Sequence, residues 1–409
     1  MAYGSVVEYG RFQEVGNVFP NEMAYGYTLG GVNWGVLLVF YTLYTGLVAG
    51  TYLVAFLSLG LNNARYHRVA GLSLILALSF ILAAPLFPLA ELRQPQRALS
   101  ILTRPHLSPS ETYPGVSPIS LLAIVYPLLL VVTILLVVFT FRAEASRRAA
   151  ETGRLWYKIL SLGMGSSEAS LRRDLRVAGI LVSIGLILAV LFASYVGFLL
   201  VATKARVLWI DATIPIHFVA SGILSGAALV AIAYYIVAKL ASGRAVDNGT
   251  IRGLGWVMLW ALLTGLGLDI VSESARAYHG FFPPGLETYG SEVLMPSLRV
   301  AYYAITAVIL VLLLVSQLKT KPWLVLLASL LSMIQVAIYR WLAVIPAQLL
   351  SRTNAGVLHY SVEAHEARLV VGVVAATIFL ATILAWILPW GSGHLARARH
   401  LGASQGGDA

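Results

Sequence analysis

Nine stretches of mostly apolar residues run through this 409-residue chain, at approximately 34–61, 68–90, 118–141, 177–202, 213–240, 251–272, 297–317, 322–345 and 367–390. A helix of about 20 such residues crosses the roughly 30 Å hydrocarbon core of a bilayer. No water is present there to satisfy exposed backbone, so a spanning chain must be helical or a closed barrel. Barrel strands read as segments of about ten alternating residues, whereas these runs are continuous. The expected fold is all-α: a polytopic transmembrane helix bundle of about nine spans. Residues 1–33 are read as a segment on the outer side, 34–390 as the integral bundle and 391–409 as a cytoplasmic tail. The first segment is not a signal peptide, because it carries Glu8, Glu14 and Glu22 and lacks an apolar core behind a basic start. No internal repeat is visible.

Composition narrows the function. Only 11% of residues are charged, against about 25% in a soluble domain. That shortfall excludes an ordinary soluble enzyme, a disordered chain and a nucleic-acid partner, despite a formal charge of +10. The absence of Cys excludes thiolate-held iron–sulfur clusters, Cys-type zinc sites, covalent haem attachment and disulfides. No metal site is expected.

The basic residues set an orientation. Arg65 and Arg68, the cluster Arg142, Arg147, Arg148, Arg154, Lys158, Arg172, Arg173 and Arg176, then Lys239, Arg244 and Arg252, Lys319 and Lys321, and Arg397 and Arg399 all fall on one side of nine alternating spans. The opposite loops are mixed or acidic. The positive-inside rule then puts the N-terminus outside and the C-terminus in the cytoplasm, in a multi-pass protein of the cell membrane. The 142–176 stretch reads as an amphipathic helix lying along anionic membrane lipid, or more plainly as a solvated charged face.

An ionisable residue inside a membrane is a functional hypothesis by default. Asp211, His217, Asp269, Glu273, Arg299 and Arg340 lie within or near spans, with Lys204 and Arg206 at the end of the fourth. Asp269 and Glu273 are four apart and share a helix face. Two such carboxylates can relay protons or hold a coupling cation. They can equally be static partners of Arg299, Arg340 or Lys204. After the second span, Glu91, Arg93, Arg97, Arg104 and His106 crowd the membrane boundary among the prolines Pro85, Pro88, Pro95, Pro105 and Pro109. Proline stops helices, so a stiff capping loop is expected. Its Arg, His and Glu could donate to a quinone's carbonyl oxygens and exchange its protons. They could also merely anchor a helix end. Of the eight His, only His217 is well inside a span, so a bis-His haem is not expected.

The stretch NWGVLLVFYTLYTGLVAG, with Asn33, Trp34, Tyr41, Gly46 and Gly50, resembles the opening of NrfD/PsrC-type membrane subunits, the polysulfide reductase membrane-subunit family. Glu91, Pro95 and Arg97 match the family's segment after the second span, with Arg93 in place of the usual Gly. Tyr195, Gly197, Trp209, Pro215, Phe218, Ser221, Gly222 and Gly226 stand at the positions of its middle pattern. Arg340, Gln348, Tyr360, Glu366 and Gly372 resemble the longer branch seen in tetrathionate reductase and hydrogenase membrane subunits, although the Pro-Ser that usually precedes the Glu is absent. The resemblance covers about residues 34–375.

It implies an eight-helix core plus C-terminal addition. That branch often has ten spans, and this chain reads as nine. It also implies a subunit that anchors an extrinsic ferredoxin-like Fe–S subunit and a catalytic subunit, most often of molybdopterin type. Such a subunit passes electrons between that partner and a quinone (menaquinone or similar), with no haem or Fe–S cluster of its own and no activity expected alone. The quinone is expected at the outer ends of the first two spans, near Asn33, Tyr41, Glu91, Arg93 and Arg97. Arg93 or His106 would polarise an oxygen and Glu91 would exchange protons, making Glu91, Arg93 and His106 the catalytic candidates. Lys204, Asp211, His217, Asp269, Glu273, Arg299, Arg340 and Glu366 would form a proton path or a buried polar network. The rival expectation is a secondary ion-coupled transporter using Asp269 and Glu273.

Overall fold

The computed structural model describes residues 32, 34–92, 95–108, 117–203, 206–241, 245–279, 293–319, 321–350 and 357–391. The outer segment (Val32 apart), Asn33, Arg93, Lys204 and the tail beyond Gly391 lie outside them.

Continuous apolar sequence leaves each span no polar face, and the backbone satisfies itself within helices. In chain order these are α1 (Val36–Leu59), α2 (His67–Ala83) and its continuation α3 (Leu86–Glu91), the one-turn α4 (Ser100–Thr103), α5 (Leu122–Thr152), α6 (Leu155–Ser161) and α7 (Glu168–Val201). Then come α8 (Thr213–Ile236), α9 (Asn248–His279), α10 (Pro296–Lys319), α11 (Pro322–Val344), the one-turn α12 (Pro346–Leu349) and α13 (Ala364–Ile387). Nine of the described helical segments are long and apolar enough to cross a membrane, and they fall on the nine expected stretches. The protein is a multi-pass membrane protein.

Two boundaries differ from expectation. The third span runs on to Thr152 and the fourth begins at Glu168, so 142–176 is not one lipid-lying helix. The charges there are helix formers that pair along and between helices. Arg147 lies 3.7 Å from Glu151, Arg148 lies 3.6 Å from Glu144, and the fully buried Arg142 donates from Nε to Asp174 at 2.8 Å. At 1.5 Å per residue α7 is about 51 Å long, so its basic end projects beyond a hydrocarbon core of roughly 30 Å. Only the seven-residue α6 lies separately, and its Trp156 ring rests 5.2 Å from Trp386 at the end of α13.

The bundle is built around α1 and α8, which cross with no side chains between them. A Cβ placed on Gly46 would lie 2.9 Å from the Gly222 Cα, and one on Gly226 would lie 2.5 Å from the Gly50 Cα. Small residues four apart on both helices let the backbones touch, the packing device membrane proteins use where no hydrophobic force separates lipid from protein. α2, α7 and α11 close around this pair, whereas α10 and α13 lie mostly exposed on the flank that faces lipid.

Candidate functional site

Two cavities open at the bundle end opposite the basic 142–176 region, and different elements build each. The first is apolar, about 380 Å³ in volume, with Trp34, Tyr41, Glu91, Tyr126, Phe192 and Tyr195 in its wall. Its shape follows from prolines. The helix is interrupted at Ala84–Pro85, and its continuation α3 carries Glu91 to the start of α1. The segment after it returns across the top, where Leu99 and Leu102 add apolar wall. Of the stretch expected to form a stiff capping loop, the described part, 95–108, contains short helical turns that line the cavity, and 93–94 and 109–116 lie outside the described residues.

The polar groups of this cavity are few. Tyr41 and Tyr195 are almost fully buried. The Glu91 Oε1 accepts a long 3.5 Å bond from the Gly35 N–H. The Glu91 Oε2 and the Tyr195 hydroxyl are buried with no hydrogen-bond partner among the described residues. Leaving such an atom unpaired costs about 1–3 kcal/mol, and both belong to residues that line the same cavity. Arg97 is exposed, and neither it nor His106 lines the cavity. His106 is instead held at its backbone, where its N–H donates to the Ser120 hydroxyl at 2.9 Å and its carbonyl accepts from the Ser117 N–H at 3.0 Å.

The second cavity is polar and smaller, about 100 Å³, lined by Asp211, His217, Asp269, Ser272, Glu273 and Arg276 with a ring of tyrosines. Every carboxylate here has partners. Asp211 accepts from the Thr213 N–H (2.9 Å), the Thr213 hydroxyl (2.7 Å), the Ser272 hydroxyl (2.5 Å) and Arg276 (2.9 Å). Burial alone would raise the Asp211 carboxyl, but those hydrogen bonds and the Arg276 guanidinium outweigh it and hold it below the usual carboxylate value. Asp269 accepts from the Tyr302 hydroxyl at 2.8 Å and lies 3.3 Å from His217 Nδ1. Glu273 pairs with Arg276 at 3.2 Å and Arg299 at 3.1 Å. The structure thus joins Asp211, His217, Asp269, Glu273 and Arg299, five of the residues expected together.

Two others of that set lie elsewhere. Arg340 is fully buried beside α1. It donates to the Phe218 carbonyl at 2.7 Å, stacks 3.9 Å over the Phe218 ring and meets no carboxylate among the described residues. Its position against Gly46 explains why a longer residue at 46 would not fit. Glu366 sits at the start of α13, where its Oε2 accepts from the Glu363 N–H at 2.9 Å and the Tyr360 hydroxyl at 3.2 Å. That places it beside the start of α1 and near Glu91, not with Asp211 and Asp269.

A plate of hydrogen bonds separates and fixes the two cavities. Gln348 of α12 accepts from the Trp34 N–H at 3.0 Å and donates to the Trp34 carbonyl at 2.9 Å. Trp34 stacks on Trp209 at 5.5 Å, and the Trp209 indole donates to the Ala343 carbonyl at 2.8 Å. Arg206 donates to the Leu350 carbonyl at 2.6 Å. The end of the eighth span and the one-turn α12 therefore clamp the start of α1.

Sequence reasoning missed Tyr126 and Tyr195 in the first cavity, Ser272, Arg276, Tyr302 and Tyr339 in the second, and Tyr360 as a link to α1. Tyr195 stood in the Tyr-x-Gly pattern and Arg276 one turn beyond Glu273, so both carried a usable signal. Tyr126 carried none.

A family model described as polysulphide reductase, NrfD, matches residues 28–351. One relative, a tetrathionate reductase subunit from Archaeoglobus fulgidus, is 27% identical over 355 residues, covering 85% of this chain and 90% of that protein. Another, a selenate reductase subunit from Mesobacillus selenatarsenatis, is 27% identical over 338 residues, covering 77% of this chain and 74% of that protein.

Proposed function

The chain belongs to the polysulphide reductase NrfD family, and from that premise we propose that it is the membrane anchor subunit of a multi-subunit respiratory reductase. In this reading it exchanges electrons between a membrane quinone and an extrinsic iron–sulfur subunit, which in turn serves a catalytic subunit. The relatives' names, subunits of a tetrathionate and a selenate reductase, support membership of a reductase complex.

The observation that carries the reading is the first cavity: apolar walls of about 380 Å³ with two buried polar atoms, Tyr195 Oη and Glu91 Oε2, that have no partner among the described residues. A flat ring with two oxygens and an apolar tail satisfies both features, because burying the tail needs no polar partner and the oxygens meet the orphaned groups. Bound there, a quinol supplies two electrons to the iron–sulfur partner and two protons to the protein; a quinone takes both in reverse. The chain's own residues do the rest. Tyr41, Tyr126 and Phe192 stack against the ring and exclude water. The Tyr195 hydroxyl orients one oxygen. Glu91 would take or give a proton at the other.

The polar cavity serves a different purpose in this reading. Its carboxylates are tied to arginines, hydroxyls and His217, so it braces α8, α9 and α10 as a buried polar network. The same ties weigh against a coupling-ion site at Asp269 and Glu273. Orientation is proposed from the basic loops: the cavities face the outer side and the C-terminus the cytoplasm.

Purification of the tagged protein from native membranes, with mass spectrometry of what accompanies it, tests the assembly. A stoichiometric Fe–S protein is expected, and a chain that purifies folded and alone would overturn the anchor reading. Menaquinone should quench the fluorescence of Trp34 at the cavity wall, with the quench lost in Trp34→Phe. No quench difference between the two proteins would remove the quinone from this cavity.

A further inference from the structure

Glu91 needs somewhere to pass its proton. The cavity around it is apolar, and the expected partners Arg97 and His106 do not line it. Its near neighbours lie at the junction of α1 and α13. The Glu91 Oε1 faces the Gly35 N–H. On the other flank of Gly35 stand Glu366 and Tyr360: a Cβ built on Gly35 would lie 2.6 Å from Glu366 Oε1 and 2.6 Å from the Tyr360 oxygen. Gly35 is buried, and any side chain there would collide with Glu366 and Tyr360, so only glycine lets Glu366 pack against the backbone whose N–H meets Glu91.

The geometry on the Glu366 side is polarised. The Glu366 Oε2 is occupied by the Glu363 N–H and the Tyr360 hydroxyl, which leaves Oε1 bordering Gly35. Tyr360 is itself fixed, accepting from the Val36 N–H at 2.7 Å. Burial, and behind it the neighbouring Glu366 and Glu91 carboxylates, push the Tyr360 hydroxyl above its ordinary value, so it stays a donor. Next to Glu366, His365 is exposed, with its Nδ1 3.1 Å from Glu363 Oε2. The charged and titratable groups around Glu366 are therefore Glu91, Tyr360, Glu363 and His365, and they run from the cavity wall to the surface.

We propose that Glu366 is the proton acceptor of Glu91, past the Gly35 backbone that both carboxylates meet, and that it connects the apolar cavity to the surface past His365 and Glu363. The transfer breaks an O–H bond at Glu91 and forms one at Glu366, and no electron moves. Tyr360 acts by position: it holds the Glu366 carboxylate against Gly35. The proposal rests on the quinone reading of the cavity for its purpose, but the proton route can be measured without quinone.

The test uses the quinone-free full chain in lipid nanodiscs at mildly acid pH. After mixing into D2O, the infrared stretch of the protonated Glu91 carboxyl shifts as it exchanges; loss of the band in Glu91→Gln assigns it. Glu366→Gln keeps the shape and the helix cap but cannot carry the proton, and should slow that exchange by about tenfold or more. Gly35→Ala should slow it comparably by pushing Glu366 and Tyr360 away from the backbone beside Glu91, and Glu366→Asp should recover part of the rate. In the intact complex, Glu366→Gln should lower kcat for quinol and leave KM unchanged. Wild-type exchange in Glu366→Gln overturns the relay even if Gly35→Ala fails to fold. Impaired turnover in Glu91→Gln beside normal turnover in Glu366→Gln removes the relay alone. Normal turnover in both removes the cavity reading as well.

Discussion

The two cavities sit at one end of the same bundle and both hold acidic residues, yet their polar atoms are treated oppositely. In the polar cavity Asp211, Asp269 and Glu273 are each met by hydroxyls, an imidazole or guanidinium groups. In the apolar cavity Glu91 Oε2 and the Tyr195 hydroxyl meet nothing among the described residues. A satisfied buried network rigidifies, whereas an unsatisfied buried group costs stability and is tolerated where a ligand completes it. The richer cluster of charges is therefore the weaker functional candidate. Counting ionisable residues in spans would choose the opposite site.

The comparison can be broken most directly at Glu91. In the intact complex Glu91→Gln should cut quinol turnover by about 100-fold, the lower end of what general acid–base catalysis contributes, with the same elution profile and Tm as wild type. Near-normal turnover would place the proton chemistry elsewhere. Asp211→Asn should do the reverse. It weakens the bonds from Arg276 and Ser272 and should cost about 1–3 kcal/mol of stability, read as a lower unfolding midpoint in detergent, with quinol turnover within about twofold of wild type. A large loss of turnover with unchanged stability would make the polar cavity a working proton path.

Acid sharpens the same contrast. The Asp211 carboxyl is held below its ordinary value in the folded protein. Its contribution to stability is then complete above the carboxyl's unfolded value and is lost as the pH falls through the lowered folded one. Thermal unfolding between pH 7 and pH 3 should show an acid decline that Asp211→Asn makes shallower, and an identical decline in both proteins would deny Asp211 this role. The smallest effect is expected at Tyr195. Tyr195→Phe removes an unpaired hydroxyl, so stability should stay level or rise by up to about 1 kcal/mol, while quinone affinity falls only about fivefold, the worth of one hydrogen bond. A clear loss of stability would mean that the hydroxyl has a partner in the apo protein.

Much of the architecture was legible in the chain. Continuous apolar runs of spanning length have no stable alternative to helices in lipid, so all nine spans fell where expected. Their ends were less legible. Arg142 and Asp174 look like loop residues by charge, but each is fully buried against the other, and only the packing of α5 on α7 makes that possible. In the site, Tyr41 and Glu91 could be named because they flank motif residues at span ends. Tyr195 carried a signal as a motif residue and Tyr126 carried none; the two come from different helices and share a wall only after those helices pack. Arg97 and His106 were sound candidates by type. The one-turn α4 and its flanking turns present Leu99 and Leu102 to the cavity instead.

Hydropathy and loop charge determined that this chain is a helical membrane bundle with its basic residues gathered at one end, because the bilayer penalises every other arrangement of such a sequence. The glycines at 46, 50, 222 and 226 were visible as a pattern, but which backbone they admit was decided by the crossing of α1 and α8. Tertiary structure alone decided which carboxylates are paired and which stand open. Hydrogen bonding within a buried site depends on ångström-scale placement of groups drawn from distant parts of the chain: Gly35 and Glu91 from one end, Tyr360 and Glu366 from the other.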